Sequence, residues 1–278
     1  MSWPAIAAAR AHDPATRLPF VLGQRVVGSV ARAHLPALQR WPGLLRIEPT
    51  QATLVVAADE YDAALAHINQ QLRADGLIVA WRDETYPVVD LAPGGPGERL
   101  ARIERAASRF WGTLTLGTHA TGYVAGADGR PAWLWIARRA LDKATDPGLW
   151  DNLIGGGVPD GQTPLQALVR EGWEEAGLTP QQLAPARAGR VIRLRRNIPE
   201  GLQLEDVHSF DLPMPAGLVP HNQDGEVAGF ELLGVTEALA RAAGDGMTVD
   251  AALATLEFAL RHGLIDAPPG ADALFAPP

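Results

Sequence analysis

The stretch Gly155–Leu178, GGGVPDGQTPLQALVREGWEEAGL, constrains this chain more than any other. Its glycine triplet lets backbone approach a ligand closely, and the glycine carbonyl at Gly155 can serve as a metal ligand. A helix with a defined start follows. Thr163 is placed to cap it, Pro164 suits the first helical position, and Gln166 completes a capping box. Gly177 falls where a left-handed residue ends a helix. At roughly 100° per residue, Glu171, Glu174 and Glu175 share one side, with Leu165, Val169, Trp173 and Ala176 on the other. Three anions on one face repel each other unless a cation sits among them. Oxygen ligands without Cys or His favour Mg2+ or Mn2+ over zinc. The competing reading is an ordinary amphipathic helix with solvated glutamates. The joint occurrence of glycines, cap, Arg170 and carboxylate spacing argues against it.

The whole chain is compatible with a folded protein carrying such a site. Its 278 residues suffice for one large domain or two small ones, and 47% hydrophobic against 20% charged residues permits a real core. A net charge of −8 with no basic face argues against nucleic acid as a partner. The absence of cysteine excludes disulfides and thiol catalysis and fits a reducing compartment. No apolar run of about 18 residues predicts a membrane span. The N-terminus lacks the apolar segment of a secretory signal, so a cytoplasmic location is expected.

Ala92–Gly97, APGGPG, reads as a linker between an accessory domain (1–97) and a second domain (98–278). The first is expected to be a small α/β or α+β unit. Its strands lie within Phe20–Val30, Ala52–Ala57 and Leu77–Trp81, and its helices at Ala31–Trp41 and Tyr61–Asp75. Glu98–Phe110 is expected as a basic amphipathic helix. Strands follow at Gly112–Val124 and Ala132–Arg138, joined by an Asp128-Gly129 turn. The box helix precedes a strand pair (Arg190–Asn197, Glu205–Leu212), a last strand (Glu226–Val235) and two helices.

From Gly156 onward the segment resembles the Nudix box: Gly, five residues, Glu, seven residues, Arg-Glu, an apolar residue, any residue, Glu-Glu, any residue, Gly, apolar. The match holds at Arg170, Glu171, Glu174, Glu175, Gly177 and Leu178. It departs at Gln162, where a glutamate is usual, and at Gly172, where an apolar residue is usual. The resemblance implies a Nudix α/β/α sandwich with a mixed sheet, and hydrolysis of a diphosphate linked to another moiety. Glu174 and Glu175 would be the main Mg2+ ligands, Glu171 a ligand or base, and Arg170 the group orienting the carboxylates.

Beyond the box, segments such as Gly76–Tyr86, Gly117–Val124, Leu134–Arg139, Lys143–Asn152 and Asp224–Val227 are similar to thiamine-pyrophosphokinase-related Nudix hydrolases with an extra N-terminal domain. Some of these act on thiamine diphosphate and its oxo or oxy forms, so such a diphosphate is the implied small-molecule partner. A nucleoside-diphosphate derivative and a non-catalytic diphosphate sensor are the alternatives. Candidate substrate contacts are His119, Tyr123, Arg138, Lys143, Asp151 and Asn152. Each has a plainer role as strand histidine, core aromatic, surface charge or turn cap. Glu226, after Asp224-Gly225, is a candidate further ligand or base, or a solvated strand-end glutamate. Trp81, Arg82 and Glu84 are candidates for an interface covering the pocket. Either a monomer or a homodimer is compatible with the sequence.

Overall fold

The computed structural model describes residues 3–92 and 97–276; Pro93–Pro96, the middle of the expected linker, lie outside the described residues. Helix α1 (Pro4–Ala8) is followed by strands β1 (Arg17–Leu22) and β2 (Arg25–Ala31), the short helix α2 (Leu35–Leu38), and strands β3 (Leu45–Ile47) and β4 (Ala52–Leu54). These strands form one sheet in the order β2-β1-β4-β3, with β1 parallel to β4. Helix α3 (Tyr61–Ala74) places Leu65, Ile68 and Leu72 in a core with Leu18, Phe20, Val30 and Leu54. The ribbon β5 (Thr85–Val89) and β6 (Arg99–Glu104), then helix α4 (Arg105–Trp111), complete that core with Tyr86, Val88, Ile103, Phe110 and Trp111.

Two predicted elements differ. Leu77–Trp81 is irregular rather than a strand, because Ala80 and Asp83 are left-handed (φ 58° each) and interrupt the extended backbone. Residues 98–104, predicted as helix, are largely strand: Ala101 and Ile103 alternate inward with period two, and the helix begins only where Glu104 caps it through Ala106 N. Residues 99–111 therefore belong to the first core.

The second unit is a mixed sheet of β7 (Leu114–Ala125), β8 (Pro131–Arg139), β9 (Trp150–Asn152), β10 (Ile154–Gly157), β11 (Arg187–Ile198), β12 (Gly201–Pro213), β13 (Val227–Gly234) and β14 (Phe275–Ala276). The order is β13-β8-β7-β12-β11-β14, with β10 on β7, β9 on β8, and β7 parallel to β12. Alternation along the strands builds two cores. Ala120, Val124 and Trp135 meet Leu168 and Ala176 of α5 (Pro164–Ala176) and Leu183 of α6 (Pro180–Leu183). Leu134, Ile136 and Val207 face α7 (Val235–Ala242) and α8 (Val249–Arg261) on the opposite side. The result is the expected α/β/α sandwich. Trp3, Ile6 and Ala9 join this second core, so the N-terminal turn packs beside α8 rather than with the first sheet. Among the described residues no helix is long and apolar enough to cross a membrane.

Candidate active site

Helix α5 starts as its sequence dictates. Thr163 Oγ1 accepts from Gln166 N at 3.2 Å, Gln166 Oε1 accepts from Thr163 N at 2.8 Å, and Gly177 ends the helix at φ 64°. Its faces do not sort as those of an ordinary amphipathic helix would. Glu171 and Glu175 are buried, whereas Leu165 and Trp173 are each 51% exposed. The glycines explain why. A Cβ on Gly156 would overlap the Glu171 carboxyl, so the bare backbone of β10 is what admits that side chain. Gly172, the departure from the box pattern, faces Leu183 and Ile154, and a Cβ there would lie 2.7 Å from Leu183 Cδ1. Close packing, not helix propensity, is the reason for glycine at that position.

The buried carboxylates need partners. Arg170 supplies most of them: its Nη2 is 2.8 Å from Glu171 Oε1, its Nη1 donates to Glu174 Oε2 at 2.9 Å, and its Nη2 donates to Gly157 O at 3.3 Å. Gly155 N donates to Glu175 Oε2 at 2.8 Å. Burial first, and then the charge of Glu171, push the Glu175 carboxyl up to about 8 against that hydrogen bond. Burial also raises Glu171, opposed by Arg170. Glu171 and Glu175, whose charged forms are disfavoured by burial, stand with Glu174 as a donor set that a hard divalent cation suits. They are not a finished cage. Among the described residues no three acidic or imidazole side chains converge as ready ligands, because Arg170 occupies the space between Glu171 and Glu174.

Opposite α5, a cleft of about 270 Å³ opens. Lys143 Nζ pairs with Glu226 Oε2, and Arg82 Nη1 reaches Glu226 Oε1 at 3.5 Å. Burial lowers the Lys143 pKa, with Arg139 and Arg82 adding to the effect and Glu175 opposing it. Arg105 donates to Glu84 Oε2 at 2.8 Å, and that carboxylate also lies 4.0 Å from Arg170. Behind Gly155 a buried polar layer supports the floor. His119 Nδ1 is 3.0 Å from Asn152 Oδ1, Asn152 Nδ2 donates to Thr255 Oγ1 at 3.0 Å, and Arg139 Nη1 donates to Asp151 Oδ2 at 2.9 Å.

Thus Arg170, Glu171, Glu174, Gly155, Lys143 and Glu226 are brought to one cleft, with Glu175 bonded to its glycine floor. His119, Asp151 and Asn152 lie one layer behind. Tyr123 is not brought there; it packs among Phe258 and His262. Arg138 points elsewhere, over the Trp150 ring at 5.4 Å, because side chains alternate along β8 and it is Arg139 that faces the cleft. Sequence reasoning missed Arg105 as a lining group, weighed Arg139 beside Arg138 without separating the two, and placed Arg82 and Glu84 only at an interface. The non-glycine turn around Arg82 was legible only as an apolar run.

A family model described as the NUDIX domain matches residues 116–251, and one described as a domain of unknown function matches residues 5–115. Nudix hydrolase 24 of Arabidopsis thaliana is 32% identical over 89% of this chain and 68% of its own length. The chain belongs to the Nudix hydrolase family. It is therefore an enzyme of the pyrophosphohydrolase kind, carrying an additional N-terminal domain. Nudix hydrolase 20 of the same plant is 30% identical over the same shares of the two chains. A solved structure from Deinococcus radiodurans is 23% identical, covering 63% of this Nudix hydrolase and 99% of the other chain with a TM-score of 0.48. Both Arabidopsis relatives are chloroplastic by name, which overturns the cytoplasmic expectation. Lack of cysteine suits any reducing compartment, so composition could not discriminate among them.

Proposed function

We propose that this Nudix hydrolase cleaves the phosphoanhydride of a small organic diphosphate with Mg2+ or Mn2+, releasing phosphate and the monophosphate. The observation that carries the reading is the cleft lining. Every residue lining it is charged, threonine or glycine, and two of them are the box carboxylates Glu171 and Glu174, with Glu175 bonded to Gly155 of the floor. Such a surface recognises phosphate oxygens and a cation rather than an apolar body.

In this reading Glu171, Glu174 and Glu175 hold the divalent cation, with Gly155 as a backbone ligand. That cation supplies charge neutralisation at the phosphoryl oxygens and acidifies the attacking water. Arg170 keeps Glu171 and Glu174 apart and oriented. Lys143 and Arg139 present positive charge to the phosphates. Glu226, tethered by Lys143 near the cleft mouth, is placed to hold a proton from water or to add an oxygen ligand. His119, Asp151 and Asn152 stiffen the floor beneath Gly155.

A thiamine-type substrate enters through the family resemblance alone. No aromatic side chain lines the cleft among the described residues to stack on a thiazolium. The reading therefore favours an oxo form, whose ring has lost its charge and has no cation–π stack to forgo, over thiamine diphosphate itself. A nucleoside-diphosphate derivative is the second reading, since its organic part carries no positive charge and calls for no cation–π partner.

The test is phosphate release from a panel of pyrophosphates with and without Mg2+, run beside Glu174→Gln. Turnover of at least one member should require the metal and fall about 10²-fold or more in the variant, the magnitude usual for loss of a transition-state charge contact. Wild-type turnover by Glu174→Gln would remove Glu174 from the machinery.

A further inference from the structure

The N-terminal unit does more than cover the cleft. We infer that Arg82, with Arg105 behind it, is a binding residue for the substrate's diphosphate, so that the phosphate site is shared between the two units. The inference rests on the pyrophosphohydrolase reading above, and it concerns residues outside the matched NUDIX segment.

Three non-glycine residues among those described have left-handed backbones: Ala80 and Asp83 (φ 58° each) and Asp146 (φ 49°). All three flank cleft residues. Ala80 and Asp83 bracket Arg82, and Asp146 follows Thr145. Such conformations cost of order 1–3 kcal/mol each and persist only where the surroundings impose them. Here they do. Trp81 Nε1 donates to Asp83 Oδ1 at 2.7 Å, Arg73 stacks on the Trp81 ring at 4.6 Å, and Arg82 N donates to Glu104 Oε1 at 2.9 Å. The backbone beneath Arg82 is thus fixed on both sides.

The guanidinium it carries is poorly matched. Its contact with Glu226 is 3.5 Å, long for a charge-assisted bond (about 2.7–2.9 Å), and Glu226 is already engaged by Lys143. Arg105 shares Glu84 with Arg170. Arg105 and Arg139 have carboxylate partners at 2.8 and 2.9 Å, so Arg82 is the guanidinium of this wall left with only a long contact, on a rigid frame lining the same cleft as the box glutamates. A planar fork of this kind fits the oxygens of a phosphate in a two-point contact. A divalent cation on the box carboxylates would release Arg170 as well, raising the positive charge available to the ligand.

The measurement is calorimetric titration of methylenediphosphonate, a non-hydrolysable diphosphate, in the presence of Mg2+, into the full chain. Arg82→Ala should weaken binding about tenfold or more. Arg82→Lys should recover part of the loss, and the thermal midpoint should be unchanged because Arg82 is a third exposed at its side chain. With whichever pyrophosphate is hydrolysed, Arg82→Ala should raise KM more than it lowers kcat. Equal affinity of Arg82→Ala and wild type, or no binding by wild type, overturns the inference. Failure of the hydrolase reading looks different: methylenediphosphonate binds in an Arg82-dependent way, yet no pyrophosphate releases phosphate.

Discussion

Gly156 shows how one missing methyl decides a site. The Glu171 carboxyl occupies the volume in which a Cβ would stand, and Arg170 pins it there from the other side. Gly156→Ala should therefore displace Glu171 before it damages the fold. We expect a destabilisation of about 1–3 kcal/mol, as for other overpacking changes, with turnover reduced about tenfold or more. Chemical denaturation beside phosphate release separates the two effects, and unchanged turnover would mean that Glu171 tolerates relocation. The pair Arg138-Arg139 illustrates what the residue scale hides. Both are arginines before the glycine turn, and only the pleat of β8 assigns Arg139 to the cleft and Arg138 to Trp150.

Helix α5 was legible in its ends, whereas spacing alone left its inward face open. Thr163, Pro164, Gln166 and Gly177 act locally, so their pattern translated directly into the cap and stop. Removing the cap with Thr163→Ala should cost about 1 kcal/mol, read as a lower urea midpoint with an unchanged slope. An equal midpoint would show that the Thr163 cap adds no net stability. Which face turns inward was different. A pattern of apolar and charged residues predicts that glutamates face water, yet Arg170 and the Gly155 amide compensate their burial, leaving Leu165 and Trp173 outside. Residues 98–104 were misassigned for a related reason. Their two-residue alternation is short, and it becomes decisive only when paired with β5.

At the scale of the whole molecule, Asp160 joins the two units. It lies in the box loop, yet Arg99 Nη1 donates to its Oδ2 at 2.7 Å, Arg102 Nε donates to the same oxygen at 2.8 Å, and its backbone N donates to Thr85 O at 2.8 Å. Burial alone would raise its pKa, but hydrogen bonds from Arg102 and Arg99 outweigh this and hold the carboxyl below its usual range. A depressed folded-state pKa gives stability that is present above the unfolded value, near 3.9. That stability is lost as pH falls through the lower folded value. Asp160→Asn should lower the melting temperature at neutral pH and flatten the acid limb, the two proteins converging below roughly pH 4. An identical acid limb would show that the junction carries no titrating stability. What the sequence determined by itself was local: the capped acidic helix, the glycine turn before it and the strand alternation of the sandwich, each fixed by residues a few positions apart. Tertiary structure decided which face of α5 is buried, that residues 3–9 pack with the second core, and that Arg82, Glu84 and Arg105 line the cleft. Those outcomes depend on contacts between residues far apart in the chain, which no local spacing encodes.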